Sequence, residues 1–275
     1  MKLRILTGLT AAAALVSLIY VGSMSLIYLV VLICSAFAYL EYDRLFFSAR
    51  DKIRQCRVVL LISMTLWFMQ SMEHHWTMAY WMAFIFLSIW SLVRGNHTGN
   101  LSQVMKEFSL EWLGYTYVVS LFGFLLPIVQ FSAFGRDFLF LLFLVVFGGD
   151  TAAYFVGVNF GKKSLARGLS PKKTLEGALA AIVVAEVLAV FWLYAVCRCA
   201  RDMDFTLKVL LFTPILSVLA QMGDLFESLL KRSQAQKDSG SFLPGHGGLL
   251  DRVDGLALAA PVFYIYLTSF LERGP

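Results

Sequence analysis

Residues 175–197 read LEGALAAIVVAEVLAVFWLYAVC, and this apolar run decides the class of the fold. A helix rises about 1.5 Å per residue, so about 20 apolar residues cover the roughly 30 Å hydrocarbon core of a bilayer. The charged residues of the run are Glu176, near its start, and Glu186, near its middle. We therefore predict a membrane-spanning helix in which Glu186 is protonated, paired inside a helix bundle or lining a polar cavity.

The rest of the chain repeats this pattern. Of its 275 residues, 59% are hydrophobic and 15% are charged, and the mean hydropathy is +0.73, which excludes a soluble or disordered chain. The third apolar stretch is the weakest of those found and could be re-entrant. We predict an all-α, polytopic membrane protein with about nine transmembrane helices, at residues 5–22, 24–40, 58–72, 76–93, 112–130, 138–157, 175–197, 207–224 and 256–271.

Positive charges in the loops predict the orientation. With nine spans, 18 of the 23 Lys and Arg residues fall on the side of the N-terminus, and cytoplasmic loops are the ones enriched in these residues. We therefore expect a cytoplasmic N-terminus, with Cys56 inside and with Cys197 and Cys199 toward the outer face. The spacing of the four cysteines indicates neither a zinc site nor a disulfide framework.

The net charge of +5 also bears on the partners of the chain. We attribute it to orientation in the bilayer and to anionic ligands, because no basic stripe interleaved with aromatic residues supports nucleic acid. Residues 1–137 are predicted to be N-terminal transmembrane helices of weakly specified role. Residues 138–275 are predicted to be the catalytic transmembrane region, because they hold two long polar segments, residues 148–176 and 224–255, which both face the cytoplasm in this topology.

One polar segment begins as GDLFESLLKR at residue 223 and runs off the end of an apolar helix. Helical spacing places four of its polar side chains along one stripe, namely Asp224, Glu227, Ser228 and Lys231. Acidic side chains at a helix end beside lipid need partners. We therefore treat this stripe as a candidate site.

A glycine-rich turn, PGHGG at residues 244–248, leads from there to Asp251 and Asp254. Such a turn at a helix start exposes backbone N–H groups, which suits phosphate. Carboxylates beside a phosphate site are typical of Mg²⁺, which takes one or two carboxylates together with waters and phosphate oxygens. The combination indicates an enzyme that acts on nucleotide phosphates, and the alternative is a set of solvated loop charges.

The other polar segment ends in SPKKTLEG, whose first residue is Ser170. Ser170 and Pro171 are good N-cap and first-turn residues, so we predict that Lys172, Lys173 and Thr174 lie in the opening turn of the next helix. Two lysines against the positive end of a helix dipole are unfavourable unless an anion also binds there. The segment therefore predicts a phosphate site, and the alternative is surface lysines that fix the orientation.

Taken together, these motifs resemble the signature of the phosphatidate cytidylyltransferases, also called CDP-diacylglycerol synthases. The matching patterns are SxLKR at 228–232, KDxG at 237–240, LPGHGG at 243–248 and DRxD at 251–254. Residues 150–177 are similar to the family's second block. The resemblance extends over roughly residues 138–265, whereas the N-terminal spans match in hydrophobicity alone.

The resemblance implies an all-helical enzyme integral to the cytoplasmic membrane, a homodimer whose active site faces the cytoplasm. Its reaction would transfer CMP from CTP to phosphatidate, giving CDP-diacylglycerol for phospholipid biosynthesis and releasing pyrophosphate. The family also implies Mg²⁺ as the cofactor, with K⁺ beside it.

The family's motif also implies roles for individual residues. Acids matching Asp224 and Asp251 hold the metals, and Lys173 matches a block that contacts phosphate. The expected catalytic residues are Asp224, Asp251, Asp254, Lys231, Arg232, Lys237, Asp238 and His246. The expected substrate-binding residues are Asp150, Tyr154, Lys172, Lys173, Thr174, Glu176, Ser228, Gly247, Gly248 and Arg252.

Two other functions stay open at this point. A CTP-dependent lipid kinase of the polyprenol type needs the same nucleotide and metal but transfers the terminal phosphoryl group. A secondary transporter would explain nine spans and Glu186, but its charges should gather at the bilayer midplane in matched halves. In this sequence the charges gather instead on one predicted face of the membrane.

Overall fold

The computed structural model describes residues 2–47, 51–71, 76–197, 203–240 and 248–271, which are almost entirely helical. The helices are α1 (Lys2–Val21), α2 (Met24–Phe46), α3 (Lys52–Ser71), α4 (Trp76–Thr98), α5 (Leu101–Val118), α6 (Leu125–Gln130), α7 (Gly135–Phe160), α8 (Leu175–Phe191), α9 (Met203–Ser233), α10 (Leu250–Val253) and α11 (Leu256–Tyr266). Short π-helical turns extend three of them, at Val119–Gly123, Trp192–Val196 and Leu267–Leu271. An antiparallel hairpin of β1 (Ser164–Ala166) and β2 (Ser170–Thr174) joins α7 to α8.

Within the described residues, six helical segments are long and apolar enough to cross a membrane. They are Met24–Phe46, Trp76–Thr98, Leu101–Gln130, Gly135–Phe160, Leu175–Val196 and Met203–Ser233. Two shorter apolar helices, Ala12–Val21 and Leu256–Leu271, coincide with the first and last predicted spans. The weakest predicted stretch lies in α3, which begins with Lys52, Arg54 and Arg57 and is less apolar than the six. The prediction of an all-α polytopic membrane protein is confirmed.

Small residues allow the helices around α8 to approach closely. The buried stripe of α8 consists of four residues spaced by four positions, Gly177, Ala181, Ala185 and Ala189. Both α7 and α9 pack against α8, as small side chains permit in membrane helix bundles. Apolar residues such as Val183 and Val187 on its other side are more than half exposed, which suits contact with lipid.

The long helix α9 passes close to the turn between α10 and α11. A Cβ atom at Gly223 would lie 2.5 Å from the backbone carbonyl oxygen of Asp254, which is closer than any side chain permits. The glycine therefore lets this turn lie directly against α9, one residue before Asp224. The two acidic motifs are brought together in this way.

The prediction for the start of α8 is wrong. Residues 170–174 form strand β2 rather than a helical turn, with Ser170 opposite Ala166 and Thr174 opposite Ser164. The N-cap is Thr174, whose side-chain oxygen accepts a hydrogen bond of 3.2 Å from the N–H of Gly177. Thr174 is itself a good cap and lies directly before the apolar run, and the strand keeps both lysines out of the positive end of the helix dipole.

The cysteines also differ from expectation at one position. Cys34 and Cys56 are free thiols, whereas Cys197 is disulfide-bonded. Cys199 lies outside the described residues. Sequence spacing could not reveal this bond, because a disulfide depends on how closely two Cβ atoms approach in the fold.

Candidate active site

The C-terminal end of α9 carries the stripe of polar residues that helical spacing indicates. Glu227 and Ser228 are buried, and Asp224 and Lys231 are partly exposed. The Lys231 ammonium nitrogen lies 2.5 Å from Oε2 of Glu227 and 2.6 Å from Oδ1 of Asp251. One positive charge therefore joins a carboxylate of α9 to a carboxylate of α10.

Asp251 is held by four hydrogen bonds. Its Oδ1 accepts one from Lys231 (2.6 Å), and its Oδ2 accepts from the backbone N–H groups of Ser239 (3.0 Å) and Gly248 (2.9 Å) and from the Ser239 hydroxyl (2.9 Å). Burial alone would raise the pKa of Asp251, but the bonds from Lys231 and Gly248 outweigh it and hold the pKa below its ordinary value. Asp251 is therefore ionised, and it holds Ser239 and Gly248, which lie on either side of residues 240–247 in the sequence.

Asp254 lies in the turn after α10 and is only 8% exposed. Burial raises the pKa of Asp254 well above its ordinary value, and the negative charges of Asp224, Glu227 and Asp150 raise it further. Its Oδ1 accepts one hydrogen bond, of 2.9 Å, from the N–H of Gly255. Acids from α7, α9 and this turn thus share one region in which added positive charge would be stabilising.

The hairpin supplies one lysine to this region. Lys173 forms an ion pair with Asp224 of α9, and both side chains are 25% exposed. Lys172, the preceding residue of β2, is exposed. The side chain of Lys173 therefore reaches the acids, whereas that of Lys172 is directed to solvent.

Two predicted site residues hold the hairpin in place. Oε2 of Glu176 accepts hydrogen bonds from the backbone N–H groups of Lys162 (3.0 Å) and Lys163 (3.3 Å) at the base of the hairpin. Arg232 of α9 donates from Nε to the carbonyl oxygen of Leu169 in its turn, over 3.4 Å. These contacts fix the strand that carries the paired lysine.

The structure therefore gathers some of the predicted site residues and leaves others apart. The gathered residues are Asp150, Lys173, Asp224, Ser228, Lys231, Gly248, Asp251 and Asp254. Side chains exposed at the surface are Tyr154, Lys172, Arg232, Lys237, Asp238 and Arg252. His246 and Gly247 lie outside the described residues.

The gathered acids fit Mg²⁺ in part. Among the residues that the structure describes, no three Asp, Glu, His or Cys side chains converge on one metal-sized position. Mg²⁺ needs only one or two carboxylates when phosphate oxygens and waters complete its shell. Asp224 is partly exposed and lies among other acids, so it suits this role. Asp251 would have to exchange at least one of its four hydrogen-bond donors for a metal.

Comparison with known proteins identifies the family of the chain. A model of the cytidylyltransferase family matches residues 2–270. The chain belongs to the cytidylyltransferase family. It is 33% identical to the phosphatidate cytidylyltransferase of Bacillus subtilis over 98% of both chains. It is also similar to the enzymes of that name from Thermotoga maritima, with 36% identity over 60% of each chain, and Brucella suis, with 45% identity over 50% of each chain.

Family membership confirms the resemblance that the motifs carry. The protein is accordingly an enzyme, a nucleotidyltransferase integral to a membrane. The alignment with the Bacillus subtilis protein covers almost the whole chain, so the likeness includes the N-terminal helices as well as the motif segments.

Two residues of this site, Glu41 and Ser239, are not indicated by the sequence motifs. Ser239 stands at the unspecified position of the KDxG pattern, and Glu41 is about 200 residues from the motifs in sequence. The predicted second span ends at residue 40, whereas α2 continues to Phe46 and buries Glu41 and Asp43. The signal available in the sequence was the pair of acids Glu41 and Asp43 just after an apolar stretch. Acids buried at such a place need hydrogen-bond partners elsewhere in the fold.

The bridge through Lys231 gives a stability prediction. We expect Lys231→Ala to lower the free energy of unfolding by about 3–5 kcal/mol, because it removes the cationic partner of the buried Glu227 carboxylate and one of the four donors to Asp251. The matched control is Lys208→Ala on the same helix, where Lys208 pairs with Asp204, whose side chain is 72% exposed. This control should cost about 0–1 kcal/mol. Unfolding of both variants in one detergent measures the difference, and equal losses would contradict the assigned role of Lys231.

Proposed function

We propose that this enzyme transfers CMP from CTP to phosphatidate, giving CDP-diacylglycerol and pyrophosphate. The observation that carries the proposal is the meeting of Asp150, Lys173, Asp224 and Asp254 at one end of a bundle of apolar helices. A water-soluble nucleotide and a lipid phosphate can meet at such a place without either crossing the membrane. One relative that matches 98% of the chain and another that matches 50% of it are both named phosphatidate cytidylyltransferase.

The chemistry of this transfer matches the charges of the site. A phosphatidate oxygen attacks the α-phosphorus of CTP, so two anions must approach each other while pyrophosphate leaves with further negative charge. Such transfers depend on positioning and charge neutralisation more than on covalent help from the protein. Lys173 would neutralise phosphate charge, and Lys231 would hold the acids in place. The attacking phosphate is already ionised near neutral pH, so no obligatory general base is needed.

Mg²⁺ is part of this proposal. Asp224 would hold it, with Asp251 as the second ligand that the family's motif implies, and Asp254 beside them. When bound, the ion neutralises negative charge on the phosphate oxygens. K⁺ beside it is proposed from the same resemblance.

The remaining elements of the proposal concern the surroundings of the enzyme. We propose that the site faces the cytoplasm, where CTP is found, and that phosphatidate enters sideways from the bilayer. The membrane is then the cytoplasmic one. A homodimer is proposed from the family resemblance.

One assay tests the activity and separates it from the lipid kinase. Purified enzyme is incubated with Mg²⁺, with phosphatidate or a polyprenol, and with CTP labelled at either the α- or the γ-phosphate. We expect the α-label to enter the organic phase and the γ-label to appear in pyrophosphate. Transfer of the γ-label to a polyprenol would instead assign the kinase reaction, and no label in any lipid would contradict both.

A second prediction concerns the metal ligands. Asp→Asn nearly preserves size while removing the charge, so Asp224→Asn and Asp251→Asn should each lower turnover at least about 100-fold, roughly 2.7 kcal/mol of barrier. Asp204→Asn, which changes an exposed acid of the same helix, is the control and should keep near-normal turnover.

Titration with Mg²⁺ and unfolding in detergent complete this test. A folded variant that needs more Mg²⁺ for half-maximal activity supports a ligand role for the residue that was changed. If either variant keeps more than about a tenth of normal turnover at saturating Mg²⁺, the metal assignment for that residue is wrong.

The proposed orientation can be checked by thiol labelling. One variant keeps Cys56, which is exposed and free, and replaces the other cysteines by Ser. The second replaces all four by Ser and carries Ala133→Cys in the exposed turn before α7. A membrane-impermeant reagent should label the Ala133→Cys variant in intact cells and the Cys56 variant only after the cells are opened. The reverse pattern would overturn the orientation.

A further inference from the structure

A carboxylate of the N-terminal half, that of Glu41, contacts the start of α10. Glu41 lies on α2 and is 3% exposed. Its Oε1 accepts a hydrogen bond of 3.0 Å from the N–H of Leu249, and its Oε2 accepts one of 3.0 Å from the N–H of Leu250. These N–H groups belong to the first turn around α10, where no carbonyl within the helix can accept from them. Glu41 therefore supplies the acceptors that α10 lacks.

The contact extends to Ser239, on the other side of residues 240–247 in the sequence. The Ser239 hydroxyl lies 3.5 Å from Oε2 of Glu41 and 2.9 Å from Oδ2 of Asp251. Asp251 in turn accepts from the N–H groups of Ser239 and Gly248. Two carboxylates from opposite halves of the chain, Glu41 and Asp251, thus lie together here. Asp251 holds Ser239 and Gly248, and Glu41 holds Leu249 and Leu250.

Glycines of the signature make room for Glu41. A Cβ atom at Gly248 would lie 2.7 Å from Oε2 of Glu41 and 2.1 Å from the Ser239 hydroxyl oxygen. A Cβ atom at Gly240 would lie 2.8 Å from Oε1 of Glu41. Both glycines therefore leave room for this carboxylate, and Gly248 also leaves room for the Ser239 hydroxyl, which the motif alone does not reveal.

The neighbouring acid of α2 has a different environment. Asp43 is buried but accepts hydrogen bonds from Arg54 (2.8 Å) and Gln55 (2.6 Å), both on α3. Its partners are thus confined to the N-terminal helices. Burying a carboxylate is costly unless donors surround it, and the N–H donors to Glu41 belong to Leu249 and Leu250 at the start of α10.

We propose that Glu41 is a positioning residue of the active site. It fixes the start of α10, the helix that carries Asp251 and its bridge to Lys231, and it also lies beside Ser239. The inference rests on the proposed function, because α10, which Glu41 positions, carries Asp251, a residue assigned to the reaction. The N-terminal helices would then contribute directly to the geometry of catalysis.

The test compares Glu41→Ala and Glu41→Gln with Asp43→Asn, which removes from the same helix a buried charge whose donors lie on α3. Misplacing a catalytic group by about 1 Å costs on the order of 100-fold, so we expect a kcat loss of about that size in Glu41→Ala. Glu41→Gln keeps one acceptor oxygen and should lose less. Asp43→Asn should lose stability to a similar degree yet keep kcat within about 2-fold of the wild type.

A second measurement separates this inference from the proposed function. Hydrogen exchange of the amides at Leu249 and Leu250 should be faster in Glu41→Ala than in the wild type and unchanged in Asp43→Asn. If the wild type transfers CMP but Glu41→Ala matches Asp43→Asn in kcat, the positioning role is wrong while the function stands. If the wild type transfers no CMP, the proposed function fails, and unchanged exchange in Glu41→Ala would overturn the contact itself.

Discussion

The ammonium group of Lys231 is the interaction on which the arrangement of the site depends. It lies between Glu227 and Asp251, at a place where water is largely excluded and unpaired charge is costly. Asp251 also accepts hydrogen bonds from Ser239 and Gly248. The position of the Lys231 ammonium group therefore constrains Asp251 and, through it, these two residues.

The two halves of the chain are joined by acids rather than by apolar packing alone. In the N-terminal half, Asp43 pairs with Arg54 and Glu111 pairs with Arg57, so α2, α3 and α5 neutralise one another's charges. Glu41, on the same helix as Asp43, takes its donors from the C-terminal half. A division of the chain near residue 137 describes where the motifs lie in sequence but does not separate independent structural units.

Composition and the length of the apolar runs were sufficient to predict the membrane-embedded helical fold, because lipid leaves few ways to satisfy the backbone. Helical periodicity also placed Asp224, Glu227 and Lys231 on one face, since that spacing depends on local geometry alone. The conformation of residues 170–174 could not be obtained in this way. Both a helical turn and a strand satisfy Ser170 and Pro171, and the pairing with β1 decides between them.

The contact of Glu41 with α10 was beyond prediction for another reason. It joins residues more than 200 positions apart, and the sequence of α2 gives no sign of which distant N–H groups its carboxylate meets. The glycine-rich turn at residues 244–248 suits phosphate, and its last glycine, Gly248, like Gly240, also lies close to this carboxylate. One residue type can thus satisfy a ligand and a neighbour at once.

The hairpin between α7 and α8 imposes a constraint on sequence change. Both ends of β2 are fixed by pairing with β1, Ser170 with Ala166 and Thr174 with Ser164, and Lys172 and Lys173 lie between these two pairs. A single insertion or deletion between Ser170 and Thr174 would therefore displace the lysine that pairs with Asp224, although the composition of the segment would hardly change. In this short connection, length is under tighter physical constraint than the identity of its exposed residues.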